Sequence, residues 1–215
     1  MSKNIRYVLI LLTGILFICC PDLSLAGSLV QAARNQIGKT VAYDPGYQVI
    51  GYPAGDIPID RGVCTDVVIR AFRQACNIDL QRLVHEDMTA HFFRYPKIWG
   101  LSKPDRNIDH RRVPNLQAFF KRKGWELPVS DRAGDYKPGD LVTCRVPPSL
   151  PHIMMVSDRK SRKGTPFVIH NIGLGTREED RLFDFEITGH FRLPKSEPAE
   201  DTASATALPV GHPAE

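Results

Sequence analysis

An α+β fold, with helices gathered early in the chain and an antiparallel sheet late in it, is the arrangement this sequence predicts. Three observations carry it. Val63, Val67, Val68, Ala71, Phe72, Ala75 and Cys76 recur at helical spacing and form one apolar stripe. From Leu141 onward the pattern changes to short apolar runs bounded by turn residues, at 141–146, 152–157 and 166–171. Residues 27–194, between a leader and a tail of different composition, are enough for one core.

In chain order, residues 1–26 read as an export signal. Lys3 and Arg6 precede an apolar run from Tyr7 to Cys20, and Ser24-Leu25-Ala26 offers small residues for cleavage. The run falls short of a comfortable span of ~20 residues, and the residues before Cys19 and Cys20 are poor for lipoprotein processing. The mature protein is expected to be periplasmic or secreted, without a stable membrane span. Ser28 is a good N-cap for a helix carrying Leu29, Val30, Ala33 and Ile37 and closed by Gly38. The stretch from Lys39 to Gly62 is rich in Gly, Pro and Tyr; a long loop just before a reactive residue often belongs to a site. Asp60 to Gly62 enter the striped helix and Asn77 stops it. Residues 78–112 are ambiguous; His85 and His91 are six apart, where a zinc-protease helix places them four apart. Asn115 to Lys123 reads as a helix with Leu116, Phe119 and Phe120 inward, Pro114 in its first turn and Gly124 as its stop. Pro138-Gly139-Asp140 turns into the first strand, polar residues 158–165 join the second and third as a hairpin, and 185–191 offers another strand. From Lys195 the chain turns to Pro, Ala, Ser, Thr and acids, so residues 195–215 are expected to be a disordered tail.

The net charge of +4 is modest, and no arginine-rich run or nucleic-acid motif accompanies it. A basic exported body suits anionic cell-envelope material. Removing the leader leaves Cys64, Cys76 and Cys144, an odd number in an oxidising compartment. Cys64 and Cys76 lie ~18 Å apart along one helix and cannot bridge; a bond between Cys76 and Cys144 would leave Cys64 free.

Cys64 falls in the first turn of its helix, where free N–H groups and the dipole favour a thiolate. The dipole supplies ~0.3–1 kcal/mol, against about 1.4 kcal/mol per pKa unit. A nucleophilic Cys64 therefore needs a histidine, and His152 stands at a strand start, with His170 and Asn171 near the end of the next strand.

Ala33 to Gly38 followed by Tyr43, then Gly62-Val63-Cys64, Lys137-Pro138-Gly139-Asp140-Leu141-Val142, Pro151-His152-Ile153 and Val168-Ile169-His170 together resemble papain-like cysteine peptidases in their compact bacterial NlpC-type form. A narrower exported bacterial family of unassigned function is also suspected. The resemblance implies a papain-like domain over 27–194, with catalytic Cys64, His152 and His170, the Tyr43 hydroxyl as an oxyanion donor, and no metal or cofactor. A charged His152 would stabilise a Cys64 thiolate. Thr65-Asp66 stands where the family usually has Ser-Gly, and the stretch around residues 80–112 is longer. Asp66 is read as favouring the helix dipole.

Which residue orients His152 depends on register. If Met154 opposes His170, His152 and His170 are diagonal neighbours on one face; a shift of one residue puts Asn171 there instead. The resemblance favours His170. The function expected is cleavage of an amide, foremost in peptidoglycan stem peptides. The alternatives are a thiol acyltransferase or toxin-like amidase, a non-catalytic envelope-binding protein on the same fold, and, more weakly, a zinc site of Cys64, His152 and His170.

Overall fold

The computed structural model describes residues 25–194. Four helices, α1 (Leu25–Arg34), α2 (Cys64–Cys76), α3 (Leu80–His91) and α4 (Val113–Arg122), pack with a six-stranded antiparallel sheet. Its strands are β3 (Glu126–Leu127), β4 (Leu141–Val146), β5 (Leu150–Lys160), β6 (Pro166–Asn171), β7 (Thr176–Glu179) and β8 (Glu186–Phe191), in the order β3-β8-β4-β5-β6-β7. A two-residue parallel pair, β1 (Ala42–Tyr43) and β2 (Arg61–Gly62), stands apart from it. The α+β class is thus the observed one. The expected tail lies outside the described residues, as does the expected leader except for Leu25 and Ala26.

Those two residues correct the start of α1. The helix opens at Leu25, three residues before the expected N-cap Ser28. Ala26 lies against Gly139, where a Cβ would come within 3.1 Å of the Ala26 Cα. Leu25, Ala26 and Leu29 line a hollow with Pro138 and Gly139. This tertiary contact outweighs the capping preference of Ser28.

The striped helix begins and ends as expected. Every residue of α2 from Cys64 to Phe72 is buried, because α1, α3 and the sheet all pack on it. Asn77 ends it in the left-handed conformation, φ 53°. In the sheet, Leu141, Ile153, Met155 and Ile169 join the helices in one apolar cluster. Val142, Met154, Val156 and Val168 join Tyr136 and Leu182 in a second. Burial on both faces is why these strands read as continuous apolar runs rather than alternating ones.

The ambiguous stretch resolves into α3, capped by Asp79, which accepts from Gln81 N–H at 3.2 Å. Buried polar side chains hold the long 39–62 loop against the helices. Gln81 accepts from Gly55 N–H (2.8 Å) and donates to Gly51 O (2.9 Å). Arg70 donates to Asp56 and to the carbonyls of Ile57, Pro58 and Arg61. The loop is therefore fixed by hydrogen bonds where it has little apolar material.

Candidate active site

Cys64 is the first residue of α2, and the chain before it is held on three sides. Asp66 accepts from Val63 N–H at 2.7 Å, satisfying a donor just ahead of the helix. The same carboxylate forms a buried bidentate pair with Arg111, Nε to Oδ1 at 2.9 Å and Nη2 to Oδ2 at 3.0 Å. Arg111 also donates to Asp44 O and Gly46 O, and Thr65 donates to Arg111 O. Asp66 therefore does more than favour the dipole: it ties the helix that begins at Cys64 to the cleft wall. Gly62 leaves room for this, since a Cβ there would stand 3.1 Å from Asp66 Oδ2 and 3.2 Å from Arg70 Nη1.

Cys64 is only 4% exposed but lies on a cleft of about 400 Å³, among Tyr43, Tyr47, Trp99, Arg112 and Pro151. Burial pushes its thiol up to about 12, opposed by the neighbouring backbone N–H groups of Ile153, Thr65 and Cys64. Tyr43, also raised to about 12 by burial and by the neighbouring Cys64 and Asp66, is held in this cleft through its pairing with Gly62. On the rim, the Arg112 guanidinium stacks 4.2 Å above the Trp99 ring.

Ile153, whose N–H faces the sulfur, directly follows His152. His152 is buried, and its Nε2 lies 2.8 Å from His170 Nδ1. The register is the one that favours His170: Met155 opposes Ile169 and Val156 opposes Val168, which sets Met154 against His170 one step further on. His170 Nε2 lies 3.1 Å from Glu179 Oε2 on the edge strand β7. Asn171 points elsewhere, donating to Ala42 O (3.2 Å) and Gly62 O (2.9 Å). It clamps the β1–β2 pair, and so Tyr43 and the approach to Cys64, to the end of β6.

Burial works against the expected ion pair. Burial, with His170 alongside, pushes His152 down to about 3, and burial likewise lowers His170. Among the described residues no hydrogen bond joins Cys64 to His152. Burial opposes charge on the thiol and on both imidazoles before any substrate is present. Nor is there a Cys76–Cys144 bond; the three described cysteines are free, with Cys76 packed in the helical cluster and Cys144 in the cluster across the sheet.

Glu179, Arg111, Arg112 and Trp99 were not singled out from sequence. Thr176-Arg177-Glu178-Glu179 carries no apolar alternation, as suits an edge strand. A larger cavity of about 980 Å³ lies beside β8. Its imidazole, His190, is already bound to Asp140 at 2.7 Å, and Asp140 is bound in turn by Arg192.

Among solved structures, the chain is similar to NlpC1 from Trichomonas vaginalis, at 15% identity and a TM-score of 0.39, covering 76% of this chain and 43% of that one. It is 53% identical over 165 residues to the uncharacterized protein YijF of Escherichia coli (strain K12), covering 77% of this chain and 80% of that protein. A family described as a domain of unknown function, DUF1287, matches residues 30–193. The chain belongs to the DUF1287 family.

Proposed function

We propose that this protein is an exported cysteine hydrolase that cleaves an amide bond in the peptide stems of peptidoglycan. The observation that carries the reading is the thiol of Cys64 on a cleft, against the N–H that follows His152, with His152 held by His170 at 2.8 Å.

Cys64 Sγ attacks the amide carbonyl while its proton passes to His152. The new C–S bond leaves an oxyanion facing the Cys64 N–H and the Tyr43 hydroxyl. Collapse breaks the C–N bond, and the amine leaves with the proton from His152. Water then attacks the thioester, giving its proton to His152, and releases the acid and the free thiol. The Arg112–Trp99 pair on the cleft supports a substrate that carries a carboxylate beside an apolar surface. Periplasmic or secreted placement follows from the leader sequence and is part of the proposal.

Purified sacculi incubated with the protein should release new amino groups, and Cys64→Ala should release none. Unchanged sacculi and muropeptides, with Cys64 still reactive toward alkylating probes, would leave a thiol enzyme with a different substrate. A second reading, a binding protein with no turnover on the same cleft, is favoured by the absence of a thiol–imidazole hydrogen bond and by the burial of Cys64. Retention on sacculi without amine release would support it.

A further inference from the structure

A neutral imidazole donates from one nitrogen and accepts at the other, so a row of two imidazoles is ambiguous until something at one end selects the direction. Here that end is Glu179. Its Oε2 lies 3.1 Å from His170 Nε2, and His170 Nδ1 lies 2.8 Å from His152 Nε2. A carboxylate only accepts, so His170 carries its proton on Nε2. His170 Nδ1 is then bare and accepts, and His152 must donate from Nε2. The bare nitrogen of His152 is left on Nδ1, the one nearer the backbone, and the next amide along, Ile153 N–H, faces the Cys64 sulfur.

We propose that Glu179 is a positioning residue that sets the tautomers of both histidines and thereby makes His152 Nδ1 the base for Cys64. The inference rests on the proposed thiol hydrolase only for the use made of that nitrogen; the tautomers themselves follow from the two distances. The reverse arrangement would set a bare His170 Nε2 against a carboxylate and place the proton of His152 where the thiol must deliver its own. An imidazolium at His170 would have the same consequence at His152, and burial of His170 opposes it. The surroundings of the carboxylate bear on the direction too. Arg181 Nε lies 3.8 Å from Glu179 Oε2, Asp184 pairs with Arg181 at 3.6 Å, and Arg177 opposes His170 in the ladder. Without Glu179, His170 Nε2 faces a neighbourhood containing Arg177 and Arg181, which favours a bare Nε2 and the reversed row.

The test uses the full chain with 15N-labelled histidine, together with Glu179→Ala and Glu179→Gln. Ring-nitrogen shifts, assigned with His152→Ala and His170→Ala, distinguish bare from protonated nitrogens, and alkylation read at the Cys64 peptide reports the thiol. The wild type should show bare Nδ1 on both histidines. Glu179→Ala should move protons onto those Nδ1 atoms and slow Cys64 alkylation at neutral pH at least tenfold. Glu179→Gln, whose amide oxygen can still accept, should recover most of the rate and of the wild-type shifts. Unchanged tautomers in Glu179→Ala would overturn the proposal, as would a protonated His152 Nδ1 in the wild type. If His152→Ala leaves Cys64 alkylation unaltered while the tautomers behave as described, the hydrolase reading fails and the tautomer assignment stands.

Discussion

Removing the Asp66 carboxylate tests how the site is held together. In Asp66→Ala the Arg111 guanidinium keeps its carbonyl partners Asp44 and Gly46 but loses both charge-assisted bonds, and Val63 N–H loses its acceptor. Both partners of the pair are almost completely buried, with side-chain exposures of 3% and 4%. Breaking a buried pair by deleting one partner costs about 3–5 kcal/mol, because the other charge stays buried and uncompensated. The lost N-terminal cap is worth ~1 kcal/mol, and a domain of this kind has about 5–15 kcal/mol in total. Urea unfolding should therefore show a marginally folded protein, with the midpoint strongly reduced and the slope unchanged. Asp66→Leu combined with Arg111→Met should be far less costly than the sum of the singles, since the stranded charge goes with its partner. A loss below about 1 kcal/mol in Asp66→Ala would refute the reasoning, for the pair would then be screened as a surface pair is.

Three other outcomes are expected. Asn171→Ala removes two donors that join β6 to Ala42 and Gly62; it should cost ~1–3 kcal/mol in urea unfolding and lower kcat more than it raises KM, because the loosened Tyr43 hydroxyl is a donor to the oxyanion. Burial holds His110 near 4, His152 near 3 and His170 below its ordinary value, 6.5. Unfolded chains bind protons at these positions first as the pH falls, so stability is full above 6.5 and declines below it by up to ~1.4 kcal/mol per pH unit per histidine; His110→Gln should flatten part of that decline in pH-dependent denaturation. Alkylation of Cys64 in His152→Ala, where only the free thiolate reacts, should climb about tenfold per pH unit from pH 5 to 8; a flat profile in that variant would show that His152 is not the base.

Much of this arrangement is legible in the residues. The stripe from Val63 to Cys76 specifies α2, since only a helix puts those positions on one face. The strands at 141–146 and 166–171 stand where the sequence places them. Whether His170 or Asn171 lies beside His152 depends on a register that side-chain alternation leaves open; the paired strands put His170 there. What the sequence conceals is long-range polar pairing. Arg111 finds its partners more than forty residues away, at Asp66, Asp44 and Gly46, and nothing local marks which arginine is buried. Glu179 is hidden for the opposite reason, on an edge strand whose polar sequence reads as loop. The ion pair expected between Cys64 and His152 rests on charge attraction; burial of both groups, which no spacing reveals, opposes it.

The central claim is that Cys64 carries the acyl group of a cleaved amide, and intact mass of the protein quenched in acid during turnover of muropeptides measures that directly. The account predicts a wild-type species heavier by one stem-peptide acyl fragment, mapped to the Cys64 peptide, released by hydroxylamine and absent from Cys64→Ala. Amine release with no adduct and with undiminished rate in Cys64→Ala would contradict it.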